Sequence, residues 1–154
     1  MKWLSLVLFL GVCLSIGFAG SVFTFSSVNS WYLQINKPIY TPPNWLFGPV
    51  WTTLFIMMGI SGWLAWENNK KPKSNAFIYY FAQLGLNLLW SIIFFGLRSP
   101  FVASVEIIIL WVFIFLSIKS FAKINKIASF LLYPYIIWVS FAAFLTVSIY
   151  FLNR

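Results

Sequence analysis

Four side chains on one stretch set the chemistry open to this chain. Gln83, Asn87, Trp90 and Phe94 recur at steps of four, three and four, which places them on one face of a helix. Two amides and two rings on one face could hydrogen-bond and stack a flat ligand, or bond to a neighbouring helix. Phe47, Trp51, Phe55 and Met58 form a second such face, and Pro134, Trp138, Ala142 and Thr146 a third. Ala142, one turn beyond the Trp138 indole, leaves space beside a flat wall. Rings next to small residues suit a flat, aromatic, mostly apolar ligand. Plain helix packing is the other use of the same rings.

The residues that are missing exclude most other chemistry. There is no histidine, Cys13 is the one cysteine, and Glu67 and Glu106 are the only acids. No Ser-His-Asp set, Cys-His pair, close carboxylate pair or Gly-rich phosphate loop can be assembled. A zinc or haem-iron site of the usual ligand types is excluded as an internal feature, so no metal or cofactor is expected. Any reaction would have to use aromatic side chains, light, oxygen or the ligand's own reactivity.

The elements that must carry these faces follow from hydropathy. Charged residues make up 8% of the chain, against roughly a quarter in a water-soluble domain, so lipid must solvate most of it. Five continuous apolar segments, about 3–25, 45–66, 75–97, 101–119 and 127–152, approach the ~20 residues that cross a bilayer. They are about twice the length of a membrane β-strand. The expectation is an all-α bundle of five transmembrane helices forming one domain over 1–154. Trp51 and Trp138 then lie about 9–15 Å inside their spans at 1.5 Å per residue, deeper than an interfacial aromatic belt. Glu106, six residues past Pro100, would reach the interface, or else be a buried acid near the site.

The first segment also resembles a leader, with Lys2 ahead of the apolar run and Gly17-Phe18-Ala19 as a cut site. Its long apolar stretch, and Gly11, Ser15 and Ala19 at steps of four, favour a retained span whose small residues let helices approach closely. The connection at about 26–44 is long and holds Trp31, Tyr32, Pro38, Tyr40, Pro42 and Pro43, which favours an ordered lid. Lysines and arginines divide seven to three between the two sides. Lys2, Lys70, Lys71, Lys73, Lys119, Lys123 and Lys126 face Lys37, Arg98 and Arg154, which puts the amino terminus inside and the carboxyl terminus outside. The net charge of +8 is explained by this topology, and no nucleic-acid partner is expected. No internal repeat of the transporter kind is visible. Leu145, Tyr150 and Arg154 fit a sterol-contact pattern that is frequent by chance at helix ends.

Three stretches resemble the TspO family, the tryptophan-rich sensory proteins of bacteria related to the mitochondrial translocator protein. They are the Pro-rich run from Lys37 to Trp51, then Gln83, Asn87, Trp90, Ser91, Phe94 and Phe95, then Pro134-Tyr135, Trp138, Phe141-Ala142 and Leu145. Tyr40 stands where that family usually has Trp, and Thr146 where an Asn is common.

The resemblance implies a bundle in a bacterial cell membrane, usually a homodimer, with a pocket under the first loop. It implies a receptor or sensor for porphyrins such as protoporphyrin IX and for isoquinoline carboxamides, with sterols bound by some members. Light- and oxygen-dependent porphyrin degradation and tetrapyrrole or sterol transport are the alternatives it carries. By position, Trp51 and Trp138 would flank the ligand and would be the reactive groups in any photochemistry. Tyr32, Pro42, Phe55, Asn87, Trp90 and Ala142 would complete the binding site.

Overall fold

The computed structural model describes residues 2–69 and 75–154. Its elements are α1 (Lys2–Val28), α2 (Trp31–Gln34), α3 (Asn44–Asn68), α4 (Ala76–Ser91), a π-helical turn (Ile92–Gly96), α5 (Pro100–Ala122), α6 (Lys126–Phe130) and α7 (Tyr133–Asn153). Together they make five spans: Lys2–Val28, Asn44–Asn68, Ala76–Gly96, Pro100–Ala122 and Lys126–Asn153. In hydrocarbon every backbone N–H and C=O must be bonded within the chain, which a helix achieves locally. The five apolar runs therefore become the five spans, as the sequence indicates. Lys70, Lys71 and Lys73, which weigh in the charge count, lie outside the described residues.

Prolines mark the breaks. Pro134 has no N–H to give to the Phe130 carbonyl, so α6 stops at Phe130 and α7 restarts at Tyr133. Leu132 donates to the Ser129 carbonyl across the break at 3.1 Å. Pro100 opens α5, where its missing N–H costs nothing. The tight turn before it is closed by Arg98, held at φ 55°.

α1 packs on α3 through glycines, but not through the stripe expected from the sequence. A Cβ on Gly17 would stand 2.7 Å from the Phe55 ring, and one on Gly62 would stand 2.6 Å from the Tyr80 hydroxyl. Gly59 lies against Leu10, and Gly20 against Ser91 of α4. Gly11 meets nothing within 4 Å, and Ser15 is exposed. The close contact therefore uses Gly17 and Gly20, and the Gly11/Ser15 face looks outward.

The long connection is ordered against the bundle. Tyr32 of α2 is buried against Phe94 and Phe95, with ring centroids at 6.3 and 5.7 Å. The Lys37 ammonium donates to the Tyr32 carbonyl at 2.6 Å and lies 4.7 Å from that ring's centre. The Asn36 N–H donates to Asn153 Oδ1 at 2.9 Å, and Asn153 Nδ2 returns a bond to the Asn36 carbonyl at 2.8 Å. Tyr40 shares a 2.8 Å hydrogen bond with Ser148 and stacks on Phe144.

Candidate functional site

A cavity of about 510 Å³ opens beneath this loop, within the ~300–1,000 Å³ of small-molecule sites. α3 supplies Phe47, Trp51 and Phe55, and α4 supplies Asn87 and Trp90. α7 supplies Trp138, Ala142 and Thr146, and Tyr32 forms part of the roof. Seven of the eight expected binding residues thus line one space. Pro42 does not; it lies half-buried in the connection. Among the described residues, no charged side chain lines the cavity, and no group of three or more His, Cys, Asp or Glu could take a metal.

The walls are flat and set at angles. Trp51 meets Trp138 at 89° with centroids 6.5 Å apart, and Tyr135 at 73° and 6.4 Å. Phe47 meets Trp138 edge-on at 6.4 Å. Opposite, Trp90 lies parallel to Phe94, at 9° and 5.1 Å. The π-helical turn helps to arrange this wall. Leu97 N–H reaches back five residues to the Ile92 carbonyl at 2.8 Å, and Ile93, Phe94 and Phe95 are all buried. Phe94 stays under Trp90 while Phe95 turns inward beside it. Such turns recur at functional sites.

Beneath the cavity runs a hydrogen-bonded chain whose centre is Tyr135, a residue that spacing alone did not single out. Asn87 Nδ2 donates to the Tyr135 hydroxyl at 2.8 Å, which donates to Gln83 Oε1 at 2.7 Å. Gln83 Nε2 reaches Met58 Sδ at 3.9 Å. Farther in, the Tyr80 hydroxyl donates to the Met58 carbonyl at 2.8 Å and lies 3.1 Å from Cys13 Sγ. Gln83 is therefore satisfied within the bundle, and Asn87 is both a wall residue and the end of that chain. Thr146 donates its hydroxyl to the Ala142 carbonyl at 2.7 Å, so it offers a ligand less than an asparagine would.

Polar atoms left over are few. The indole N–H groups of Trp90 and Trp138 are buried without a partner. Such groups cost about 1–3 kcal/mol each when unsatisfied. Glu106 is a buried acid: it is 5% exposed, with both carboxyl oxygens unpartnered among the described residues. It lies outside the cavity wall, on the buried side of α5 with Ala103, Ile107 and Leu110. Leu145 lines the cavity whereas Tyr150 packs on Phe101 at 5.3 Å, so the sterol-like triplet does not form one surface.

Five spans around an aromatic cavity beneath a tied loop define an all-helical membrane bundle. The chain belongs to the TspO/MBR family, whose model matches residues 9–152. It is 48% identical to the tryptophan-rich protein TspO of Archaeoglobus fulgidus, over 99% of each chain. It is 48% identical to that of Chlorobaculum tepidum, over 97% of this chain and 96% of that one. With the human translocator protein it shares 34% identity, over 80% of this chain and 75% of that one. The chain is an integral membrane protein.

Proposed function

We propose that the protein is a membrane receptor for porphyrins and related flat aromatic ligands, bound between Trp51, Trp90 and Trp138. The observation that carries this reading is the cavity itself: broad rings on several sides and, among the described residues, no charged side chain. Such a site favours a ligand with a large π-surface. Tyr32, Phe55, Asn87 and Ala142 complete the binding surface, and Pro42 supports the loop above it. Titration with protoporphyrin IX in darkness should quench tryptophan fluorescence to saturation at a fixed stoichiometry. Equal affinity in a Trp51→Phe/Trp138→Phe double variant would falsify the site assignment.

A second reading, light- and oxygen-dependent degradation of the bound porphyrin, draws support from the perpendicular Trp51–Trp138 pair. Both rings are oxidisable and both face the cavity. Illuminated complex should then give one defined product. Bleaching of free porphyrin and of the double-variant complex to the same product at the same rate removes the catalytic role.

A further inference from the structure

The cavity has two kinds of wall. Asn87, Phe94, Leu145 and Thr146 are buried. On α1 and the loop-side third of α3, several lining residues are instead exposed: Phe18 is 74%, Phe25 72% and Trp45 72% accessible. A residue that both lines a cavity and is exposed stands at its mouth. On α1 these residues are Leu14, Phe18 and Phe25, with the half-buried Ser21 on the same face between them; on α3 they are Trp45, Gly48 and Thr52, at steps of three and four. Each set is one helix face. The two helices touch toward the other end, where Gly59 meets Leu10 and Gly62 meets Phe9, and nothing lies within 4 Å of a Cβ on Gly48.

This mouth faces sideways. The end of the bundle nearest water is covered by the loop, tied down through Asn36–Asn153, Tyr40–Ser148 and the buried Tyr32. Both helices flanking the opening are membrane spans, so what lies outside it is hydrocarbon. Thr52 is eight residues into α3, about 12 Å at 1.5 Å per residue, close to the depth of one leaflet of a ~30 Å core. The hydroxyls at the opening are already spent on their own helices, Ser21 on the Phe18 carbonyl at 2.6 Å and Thr52 on that of Gly48 at 2.8 Å. They make the passage no more polar.

We infer that the gap between α1 and α3 is a lateral portal, through which a flat apolar ligand dissolved in the loop-side leaflet reaches the cavity while the loop stays shut. The inference rests on the ligand-binding reading above. Phe18, Phe25 and Trp45 give the passing ring system surfaces to slide on. A ligand with carboxylates along one edge can keep that edge at headgroup level, beside Asn44 and Trp45.

The test is stopped-flow quenching by protoporphyrin IX of the full chain in zwitterionic nanodiscs. Gly48→Phe puts a ring into the mouth where the structure leaves room, and Ser21→Phe plugs it from the facing helix, so the test survives if one variant misfolds. Association and dissociation should each slow by about tenfold or more, with Kd changing much less, the pattern of an obstructed path. Asn153→Ala, which unties the loop, should leave association unchanged. Wild-type rates in a folded plug variant, or faster association in Asn153→Ala, would overturn the portal while the binding site stands. Absence of saturable quenching in the wild type would overturn both.

Discussion

The indoles of Trp51 and Trp138 stand at 89°, with centroids 6.5 Å apart, so these two walls meet as a corner rather than a clamp. A flat ligand can lie against the face of one and meets the edge of the other. The two tryptophans are therefore not interchangeable. Trp138 also carries one of the unpartnered N–H groups, and a net hydrogen bond of ~1 kcal/mol corresponds to about fivefold in affinity. Trp138→Phe should weaken an isoquinoline carboxamide, which has a carbonyl acceptor, by about fivefold more than an analogue lacking that oxygen. Equal losses for the two ligands in a binding titration would show that the N–H is not used.

Tyr135 joins Asn87 to Gln83. Tyr135→Phe strands one acceptor and one donor, and interhelical hydrogen bonds in membranes are worth about 0.6–1.7 kcal/mol each. The variant should lose about 1–3 kcal/mol in an unfolding titration. Adding Gln83→Leu should recover part of that loss. A double variant as unstable as the sum of the two singles would mean that the pair is not coupled.

Glycine positions separate contact from empty space. Gly62→Ala forces a methyl to within 2.7 Å of Phe9 and Tyr80 atoms, and overpacking typically costs about 1–3 kcal/mol. Gly11→Ala meets nothing and should be neutral, or stabilising by up to ~1 kcal/mol from helix propensity. Thermal midpoints of the two variants should move in opposite directions or differ by several degrees. Identical midpoints would contradict the packing of α1 on α3.

Among the described residues, Glu106 has no hydrogen-bond partner for either oxygen. Removing an unsatisfied buried polar group should not destabilise, so Glu106→Leu is expected to raise the thermal midpoint of the ligand-free protein. A clear drop would reveal that this acid holds the helices together.

Tyr32 lies in the loop, and burial pushes its phenol up from 10.0 to about 12. The folded state keeps the proton where the unfolded chain has lost it. The sign follows: this contribution is complete below pH ~10 and is lost as pH rises toward ~12. Tyr32→Phe should flatten the fall in thermal midpoint across that window. An unchanged slope would place the alkaline transition elsewhere.

Much of this was legible because lipid imposes strong patterns. Continuous apolar runs can only be spans, and the face shared by Asn87 and Trp90 survives because helical spacing is fixed by the backbone. Other features were not legible, for physical reasons. Gly11/Ser15 and Gly17/Gly20 are both small-residue pairs on α1, and only the position of Phe55 decides which one packs. Ile92-Ile93-Phe94-Phe95-Gly96 carries no local mark of a widened turn. Tyr135 became the centre of a polar chain because Asn87 and Gln83 converge on it from another helix, a relation that spacing within one segment cannot express. Glu106 looked interfacial by distance from Pro100, but depth along a helix does not say which side faces inward.

Asn36 and Asn153 are 117 positions apart, and their pairing has a consequence for synthesis. This tie of the roof over the cavity cannot form until the last turn of the fifth span has left the ribosome and folded. Until then the roof is held only by its contacts with earlier spans, such as Tyr32 on Phe94 and Phe95.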